Sequence, residues 1–241
     1  MNGIKLAASA FGVLALLTAC ADDGDGNGGG DGGSGFAEET AADIQAAAIE
    51  DTQAIESVHL AGTITQGDGE IGLDISMNTA GDCDGTVSRG EEGEAKVTSL
   101  EGTSWFKPDE AFWRAQAGPQ ADQILALVGD NWVLLPEGDQ SFSSFCDLDQ
   151  LLGQIGDEPE TTEKGDTEDV DGEEAVQLTR EGDGGGTITA WIAVDDPHHI
   201  LKIEQAGGEG PGSFTFSEFN EEVDVEAPAE DEVVDLSQLQ P

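Results

Sequence analysis

Three cysteines are the residues of this sequence whose positions suggest chemistry. Cys20 ends a short apolar run and precedes a stretch rich in Asp and Gly, whereas Cys83 and Cys146 lie further along the chain. None of the three belongs to a CxxC pair, so the sequence supports neither thiol redox catalysis nor a zinc site. The chemistry that remains is modification of Cys20 and a bond between Cys83 and Cys146.

Residues 1–19 have the layout of a secretory signal, with Lys5 near the start, an apolar core and small residues before Cys20. The tetrapeptide Leu-Thr-Ala-Cys at 17–20 resembles bacterial lipoprotein signals position by position. In that family the cysteine thiol receives a diacylglyceryl group, and the chain is cleaved before it. The resemblance therefore implies that lipidated Cys20 is the first residue of the mature chain. A transmembrane helix and a plain signal peptide are the alternatives, although the apolar stretch is shorter than the about 20 residues that span a bilayer core.

Export favours a disulfide between Cys83 and Cys146, because disulfides persist outside the cytoplasm. Such a bond would stabilise the fold by about 4 kcal/mol through loop closure. Two free buried thiols are the alternative.

The three histidines give little support for catalysis. His198 and His199 are adjacent, and neighbours in an extended chain point to opposite faces, so they form a poor chelate and a poor acid–base couple. The sequence has no GxSxG, HExxH or P-loop motif and no tyrosine. Residues 23–28 match the first half of a calcium loop, but Ser34 stands where a glutamate is required. We therefore predict no enzyme, no cofactor and no metal site.

The composition is strongly acidic, with 52 Asp and Glu against 8 Lys and Arg and a formal net charge of −44. This charge excludes nucleic acid as a partner, because phosphate binding requires clustered Lys and Arg. It also repels the folded body from an anionic membrane surface, so two acyl chains on Cys20 would provide the attachment. A halophilic or high-GC source would also account for the acidity.

Composition divides the chain into four segments. Residues 1–19 are the predicted signal peptide. Residues 20–36 are the lipidated cysteine and a disordered Asp/Gly tether, which spans about 20 to 25 Å. Residues 37–228 are the predicted folded domain, and residues 229–241 are an acidic C-terminal tail that is expected to fray.

Periodicity predicts the elements of the folded domain. The Ala-rich stretch 37–57 is acidic at its start and indicates an amphipathic helix. Between Pro108 and Ile155, two prolines and the run from Cys146 indicate three short helices. The acidic stretch 158–171 indicates a solvated edge or loop. Alternation of period two indicates a hairpin and further strands. The hairpin covers 58–77, and the other strands cover 86–88, 95–100, 103–107, 175–180, 187–194, 200–205 and 213–219.

This order of elements predicts one α+β domain, in which a curved antiparallel sheet forms a half-barrel and helices cover its concave face. The domain resembles the actinobacterial lipoproteins of the LppX and LprG group, whose fold is similar to that of the lipoprotein carrier LolA. Four segments carry the likeness: the tetrapeptide 17–20, the strand pair 59–77, WFKPDEAFW at 105–113 and the ending 214–228. The resemblance implies a cavity between sheet and helices that accepts acyl chains of a lipid or lipoprotein.

Large apolar side chains are the predicted lining of this cavity. They are Trp105, Phe106, Phe112, Trp113, Ile124, Leu127, Leu151 and Trp191. Ordinary core packing is the alternative for each of them, since large apolar residues are buried mainly for stability.

The sequence thus predicts a monomeric lipoprotein, anchored to the extracytoplasmic face of the cell membrane, that binds or carries a hydrophobic or acylated ligand. The alternative is an anchored cell-envelope interaction or sensor protein with a filled core. Both stay open, because alternation tells which face of a strand is buried and not whether the interior is solid.

Overall fold

The structure is a computed structural model that describes residues 33–67, 69–136, 144–156, 162–182, 184–208 and 210–235 of the 241-residue chain. The predicted signal peptide, Cys20 and the predicted tether as far as residue 32 lie outside these ranges. None of the helices within the described ranges has the length and apolarity needed to cross a membrane.

Twelve strands of the described residues form a single open sheet. They are β1 (Ser57–Gln66), β2 (Gly69–Asn78), β3 (Cys83–Ser88), β4 (Glu94–Leu100), β5 (Thr103–Pro108), β6 (Trp132–Leu134), β7 (Glu163–Val170), β8 (Glu173–Glu181), β9 (Thr187–Ala193), β10 (Ile200–Ala206), β11 (Gly212–Ser217) and β12 (Val233–Val234). Their spatial order is β12-β6-β5-β4-β3-β2-β1-β11-β10-β9-β8-β7. All pairs are antiparallel except β12 with β6.

The two halves of the sheet meet where β1 pairs with β11. The meander β1 to β5 follows the chain on one side of β1, and the meander β7 to β11 returns to its other side. The acidic stretch near residue 165 forms the edge strand β7, in which every residue except Val170 is exposed. Its charges discourage pairing with another chain, as is common at exposed sheet edges. The predicted α+β class with a mostly antiparallel sheet is confirmed.

Five α-helices accompany the sheet in the described ranges: α1 (Gly33–Phe36), α2 (Ala41–Gln53), α3 (Glu110–Ala117), α4 (Ala121–Val128) and α5 (Leu148–Gly156). The side chain of Thr40 caps α2 by accepting from the Asp43 amide at 3.2 Å, and Asp109 caps α3 in the same way at the Phe112 amide. Each cap satisfies a backbone donor that the first helical turn leaves free. The predicted helix near residues 37–57 and the three predicted between 108 and 155 are present.

The register defines an inner and an outer face of the sheet. Across the strands β11 to β5, the row Phe216, Leu60, Ile75, Gly85, Val97 and Phe106 lies on one face, which we call the inner face. Helix α5 packs its Leu148 and Leu152 against the β1 to β5 part of this face. Helix α2 packs Ile44 and Ala48 against Val176 and other residues of β8 to β10. The two helices also contact each other.

The folded body begins before the end of the predicted tether. Phe36, which closes the predicted segment 20–36, is 7% exposed and packs in the same core as Ile44. An aromatic ring beside an apolar helix face is more stable buried than in water, so the burial of Phe36 orders the chain just after the Asp- and Gly-rich stretch.

After β11 in the middle of the sheet, the described chain reaches the edge of the sheet at β12. Val233 and Val234 lie in the predicted tail 229–241, yet they form β12 by parallel pairing with Trp132 and Val133 of β6. This pairing gives hydrogen-bonding partners to the exposed edge of β6.

The predicted disulfide is present. Cys83 at the start of β3 is bonded to Cys146, which lies in the turn before α5, with the two Cα atoms 5.5 Å apart. Both cysteines are buried in the core under α5. The bond fastens the helical insert to the first half of the sheet.

Candidate functional site

A contiguous strip of half-buried apolar side chains continues the inner face beyond its packed core. Its members are Ile64, Ile71, Leu73, Ile203 and Phe214, which we call the inner-face strip. Across the strands, Leu73 lies opposite Gly62, Gly62 opposite Phe214 and Phe214 opposite Ile203. Ile64 lies opposite Ile71 in the next inner-face row.

The inner-face strip joins the two cores that the helices cover. Ile71, Leu73 and Phe214 pack against the core under α5, and Ile203 packs against the core under α2. The strip crosses β2, β1, β11 and β10, a distance of about 14 Å at the usual strand spacing. It is therefore a continuous apolar surface, about 14 Å long, that is partly exposed to solvent.

Glycines shape the floor of the strip. A Cβ at Gly62 would lie 2.7 Å from both Cα and Cδ1 of Phe214, so the ring lies close over the glycine. A Cβ at Gly212 would lie 2.7 Å from the Cα of Ile64. Because these positions carry no side chain, the floor between the apolar residues stays low.

Polar groups border one end of the strip. Arg180 lies opposite Ile188, which lies opposite Gln205, and Gln205 lies opposite Gly212 beside Ile64. At the β2 side, Ile71 also lines a cavity of about 190 Å³ together with Arg89 and Glu92. An apolar surface with a few polar groups at its margin is the usual composition of a site for a hydrophobic ligand.

The structure does not bring the eight predicted lining residues into one site. Phe106 and Phe112 are buried in the core under α5, with their rings edge to face at 5.4 Å, and Leu151 packs against the same core. Trp113 belongs to α3, and Ile124 and Leu127 belong to α4, where Leu127 is 60% exposed.

Trp105 and Trp191 lie on the outer face of the sheet, away from α2 and α5. Trp191 lies opposite Lys202, whose Nζ is 4.3 Å from the centre of its ring, and its Nε1 donates to Glu168 at 2.8 Å. Trp105 lies opposite Thr98, one residue out of phase with the inner-face Phe106. Both positions are separated from the inner face by the sheet itself.

Most of the inner-face strip was visible in the sequence as part of the predicted buried face. Ile64, Ile71 and Leu73 belong to the alternation that predicts the hairpin. They are only partly buried, and alternation does not encode how much of a strand's inner face other elements cover. The predicted lining residues were chosen for their size, and most of them lie between residues 105 and 151.

A polar cluster on the outer face brings together residue types used in acyl transfer. His59 Nδ1 is 3.2 Å from Ser217 Oγ, and His59 Nε2 is 3.0 Å from Asp74 Oδ1. The cluster borders a cavity of about 220 Å³ between the sheet and residues 218–224. The Asp74 side chain is 73% exposed, so water competes for its hydrogen bond and the bond fixes the imidazole only weakly. We interpret the cluster as surface hydrogen bonding across neighbouring strands.

His198 and His199 point to opposite sides, as their adjacency predicts. The ring of His198 stacks on Phe36, whereas the ring of His199 packs on Phe219 at 4.2 Å. Burial lowers the pKa of His199 below its ordinary value, against the opposing effect of Asp51 and Asp196. The two rings therefore do not form a chelating pair.

The chain has the fold of two mycobacterial lipoproteins. The structure is similar to the lipoprotein LppX of Mycobacterium tuberculosis with a TM-score of 0.51 and 20% identity, over 77% of this chain and 98% of that one. It is similar to LprF of Mycobacterium bovis with a TM-score of 0.54 and 16% identity, over 78% of this chain and 97% of that one. No model of a known protein family matches the chain, and neither does any curated protein. The fold-level resemblance seen in the sequence is confirmed.

Proposed function

We propose that this protein is a membrane-anchored extracytoplasmic lipoprotein that holds an acyl chain of a lipid or of an acylated protein against its inner-face strip. The observation that carries the proposal is the contiguous half-buried apolar surface from Ile203 to Leu73, between two helix-covered cores. The fold shared with the lipoproteins LppX and LprF supports it.

The energetics of the strip suit an acyl chain. Removing a methylene from water stabilises a complex by about 0.8 kcal/mol, so ten methylenes would contribute about 8 kcal/mol before the entropy of association is subtracted. The flat rings and branched chains of Phe214, Leu73 and Ile203 offer dispersion contacts but no fixed pattern of hydrogen bonds. Such a site selects a ligand by length and apolarity, while the polar margin contacts its head.

Anchoring would place this site next to its ligands. In the proposal, lipidated Cys20 attaches the chain to the membrane and the Asp/Gly segment after it acts as a spacer. Two acyl chains on one cysteine provide the two signals that stable attachment requires. The net charge of −44 keeps the folded body off an anionic leaflet, so the spacer rather than the surface of the domain sets its distance from the bilayer.

The alternative function is an anchored envelope interaction protein with a filled core. The burial of Phe106 and Phe112 in one core, with Leu151 packed against it, favours this alternative, because these predicted lining residues pack together and do not line a cavity. Both functions require the anchor, and they differ in whether the inner-face strip takes a ligand.

Binding of a fluorescent fatty-acyl probe tests the proposal. Separate samples of the chain purified from its own host are extracted with organic solvent, examined by native mass spectrometry, and titrated with the probe. We expect a bound acylated species, saturable probe binding, and at least tenfold weaker probe binding in Leu73→Gln. Leu127→Gln is the matched control, since Leu127 is an exposed leucine of α4, and it should bind the probe as the parent does.

Two results would contradict this assignment. An extract without lipid, combined with no probe uptake, would support the filled core. Probe binding that Leu73→Gln leaves unchanged would place any ligand outside the inner-face strip.

A further inference from the structure

Two carboxylates and an imidazole from distant parts of the chain lie together beside α2. Asp51 belongs to the last turn of α2, and Asp196 and His198 belong to the turn between β9 and β10. One potential ligand atom from each residue lies within 4.8 Å of those from the other two. The backbone amide of His198 donates to Asp51 Oδ2 at 2.8 Å, which ties the turn to the helix.

The imidazole of His198 has a fixed orientation. Its ring stacks on Phe36 with a centroid distance of 3.5 Å and an interplanar angle of 2°. Its Nδ1 lies 3.1 Å from the carbonyl oxygen of Ala193. A carbonyl oxygen only accepts, so this hydrogen bond requires a proton on Nδ1, and in the neutral imidazole the lone pair is then on Nε2.

This orientation matches that of a metal-binding histidine. In metal sites the imidazole commonly donates its second N–H to a backbone carbonyl, which fixes the tautomer and leaves the other nitrogen for the metal. The carboxylates of Asp51 and Asp196 lie beside this imidazole and supply two negative charges that balance a divalent ion. Asp196 is exposed while Asp51 and His198 are half-buried, so an ion can enter from solvent and keep water ligands.

We propose that Asp51, Asp196 and His198 bind a divalent transition-metal ion, for which Zn²⁺ is the probe. The ligand set of one nitrogen and two oxygens suits Zn²⁺, which accepts three protein ligands and a water. Mg²⁺ and Ca²⁺ prefer oxygen ligands alone, so the imidazole gives the site its selectivity. This inference is independent of the acyl-binding proposal, since it uses none of the residues of the inner-face strip.

The ion would join α2 to the sheet. Asp51 lies on the helix, and Asp196 and His198 lie on the turn that connects two strands under it. A metal that binds only the folded arrangement stabilises that arrangement by mass action. Occupancy would therefore hold α2 on its half of the inner face.

The test must separate this site from the many surface carboxylates of an acidic chain. We would titrate the full chain with Zn²⁺ by isothermal calorimetry in a large excess of Mg²⁺, which competes for carboxylates but not for an imidazole. We expect one Zn²⁺ site per chain to persist. His198→Phe keeps a ring on Phe36 but removes both nitrogens, and it should weaken binding at that site by about 100-fold or more, because even residues behind the ligands change metal affinity by 10- to 100-fold.

Matched variants control for unspecific effects. Asp196→Asn changes an exposed ligand and should weaken the site, whereas Asp195→Asn changes its exposed neighbour and should not. His59→Gln removes an imidazole from the outer face and should leave Zn²⁺ binding unchanged. Zn²⁺ should raise the melting temperature of the parent and of both control variants, and not that of His198→Phe or Asp196→Asn.

The proposal fails if no Zn²⁺ site survives the excess of Mg²⁺. It also fails if a surviving site is unaffected by both His198→Phe and Asp196→Asn. Because Asp196 is exposed, Asp196→Asn should fold normally, so it decides the matter even if His198→Phe does not fold.

Discussion

Removal of the Cys83–Cys146 disulfide should lower the free energy of unfolding by about 4 kcal/mol. The bond closes a loop of 63 residues that contains β4, β5, α3, α4 and β6. Without it, the unfolded chain regains the entropy of that loop, which the chain-entropy model converts to about 4 kcal/mol at 25 °C. For a domain of this size the loss corresponds to a fall of about 10 °C in the melting temperature.

Urea denaturation of three samples measures the effect: the parent, the parent with a reductant, and the double variant Cys83→Ala/Cys146→Ala. The reduced parent keeps both buried sulfur atoms and loses only the cross-link, so its difference from the oxidised parent isolates the loop term. The double variant also loses sulfur packing and should be somewhat less stable still, and a reductant should not change it. A difference below about 1 kcal/mol between oxidised and reduced parent would refute the reasoning.

The loss should appear first in α5. Cys146 lies directly before this helix, whose Leu148 and Leu152 pack on the inner face. We expect hydrogen exchange of α5 amides to accelerate in the reduced protein more than that of β8 to β10, which the bond does not reach. Equal acceleration in both regions would mean that the bond acts only on global stability.

Three further predictions concern single positions. Gly62→Ala should lower the free energy of unfolding by about 3 kcal/mol in urea denaturation, since its Cβ would collide with β11. Gly153→Ala is the control: its Cβ has open space on α5, so it should raise the free energy of unfolding by about 0.5 to 1 kcal/mol. Equal effects of the two substitutions would contradict the close approach at Gly62. Burial lowers the pKa of His199 in the folded state, so the unfolded chain binds a proton at a higher pH than the folded chain does. The buried neutral His199 therefore contributes stability that is present above about pH 6.5 and is lost as the pH falls through the folded-state pKa. In the presence of a chelator, stability should therefore decline less between pH 7 and pH 5 in His199→Gln than in the parent, and parallel curves would contradict this. Cys20→Ala should move the protein from the membrane fraction to the medium in cell fractionation, and continued membrane association would exclude the lipid anchor.

The elements of the fold were predictable because their signals are local. Period-two alternation located the strands of the hairpin β1–β2 and of β8 to β11, since one side of each is buried. Helix starts were marked by residues that cap the first turn, as Asp109 does for α3. The charge of the stretch 158–171 indicated a solvated edge or loop, and the structure forms the edge strand β7 there, because so acidic a strand is not stable between two others.

The arrangement of side chains into sites was not predictable, because it depends on pairs that are distant in the sequence. Asp51 and His198 are 147 residues apart and meet only after α2 packs on the β9–β10 turn. Likewise Leu73 and Phe214 join one strip only because β1 pairs with both β2 and β11.

The face of Trp191 was ambiguous for a different reason. Strand β9 has apolar residues at both alternating sets of positions, with Ile192 directly after Trp191. Both faces of this part of the sheet are buried, Ile192 under α2 and Trp191 in a small outer core with Ala175. Alternation therefore shows no polar side from which the direction of Trp191 follows.

The net charge of −44 should act on how fast a ligand reaches the inner-face strip more than on how firmly it stays. Contacts with Leu73, Phe214 and Ile203 are apolar, and the transfer of methylenes from water does not depend on the charge elsewhere. An anionic headgroup approaching the domain meets a repulsive field that salt screens beyond about 8 Å at physiological ionic strength.

Added salt should therefore accelerate association of an acyl probe with a carboxylate head in stopped-flow measurements and leave its dissociation rate nearly constant. A probe of equal chain length with an uncharged head should associate at a rate independent of salt. If salt instead changed the dissociation rate of the anionic probe, its head would lie against a fixed charge such as Arg89 beside Ile71, and the polar margin of the strip would contribute to binding.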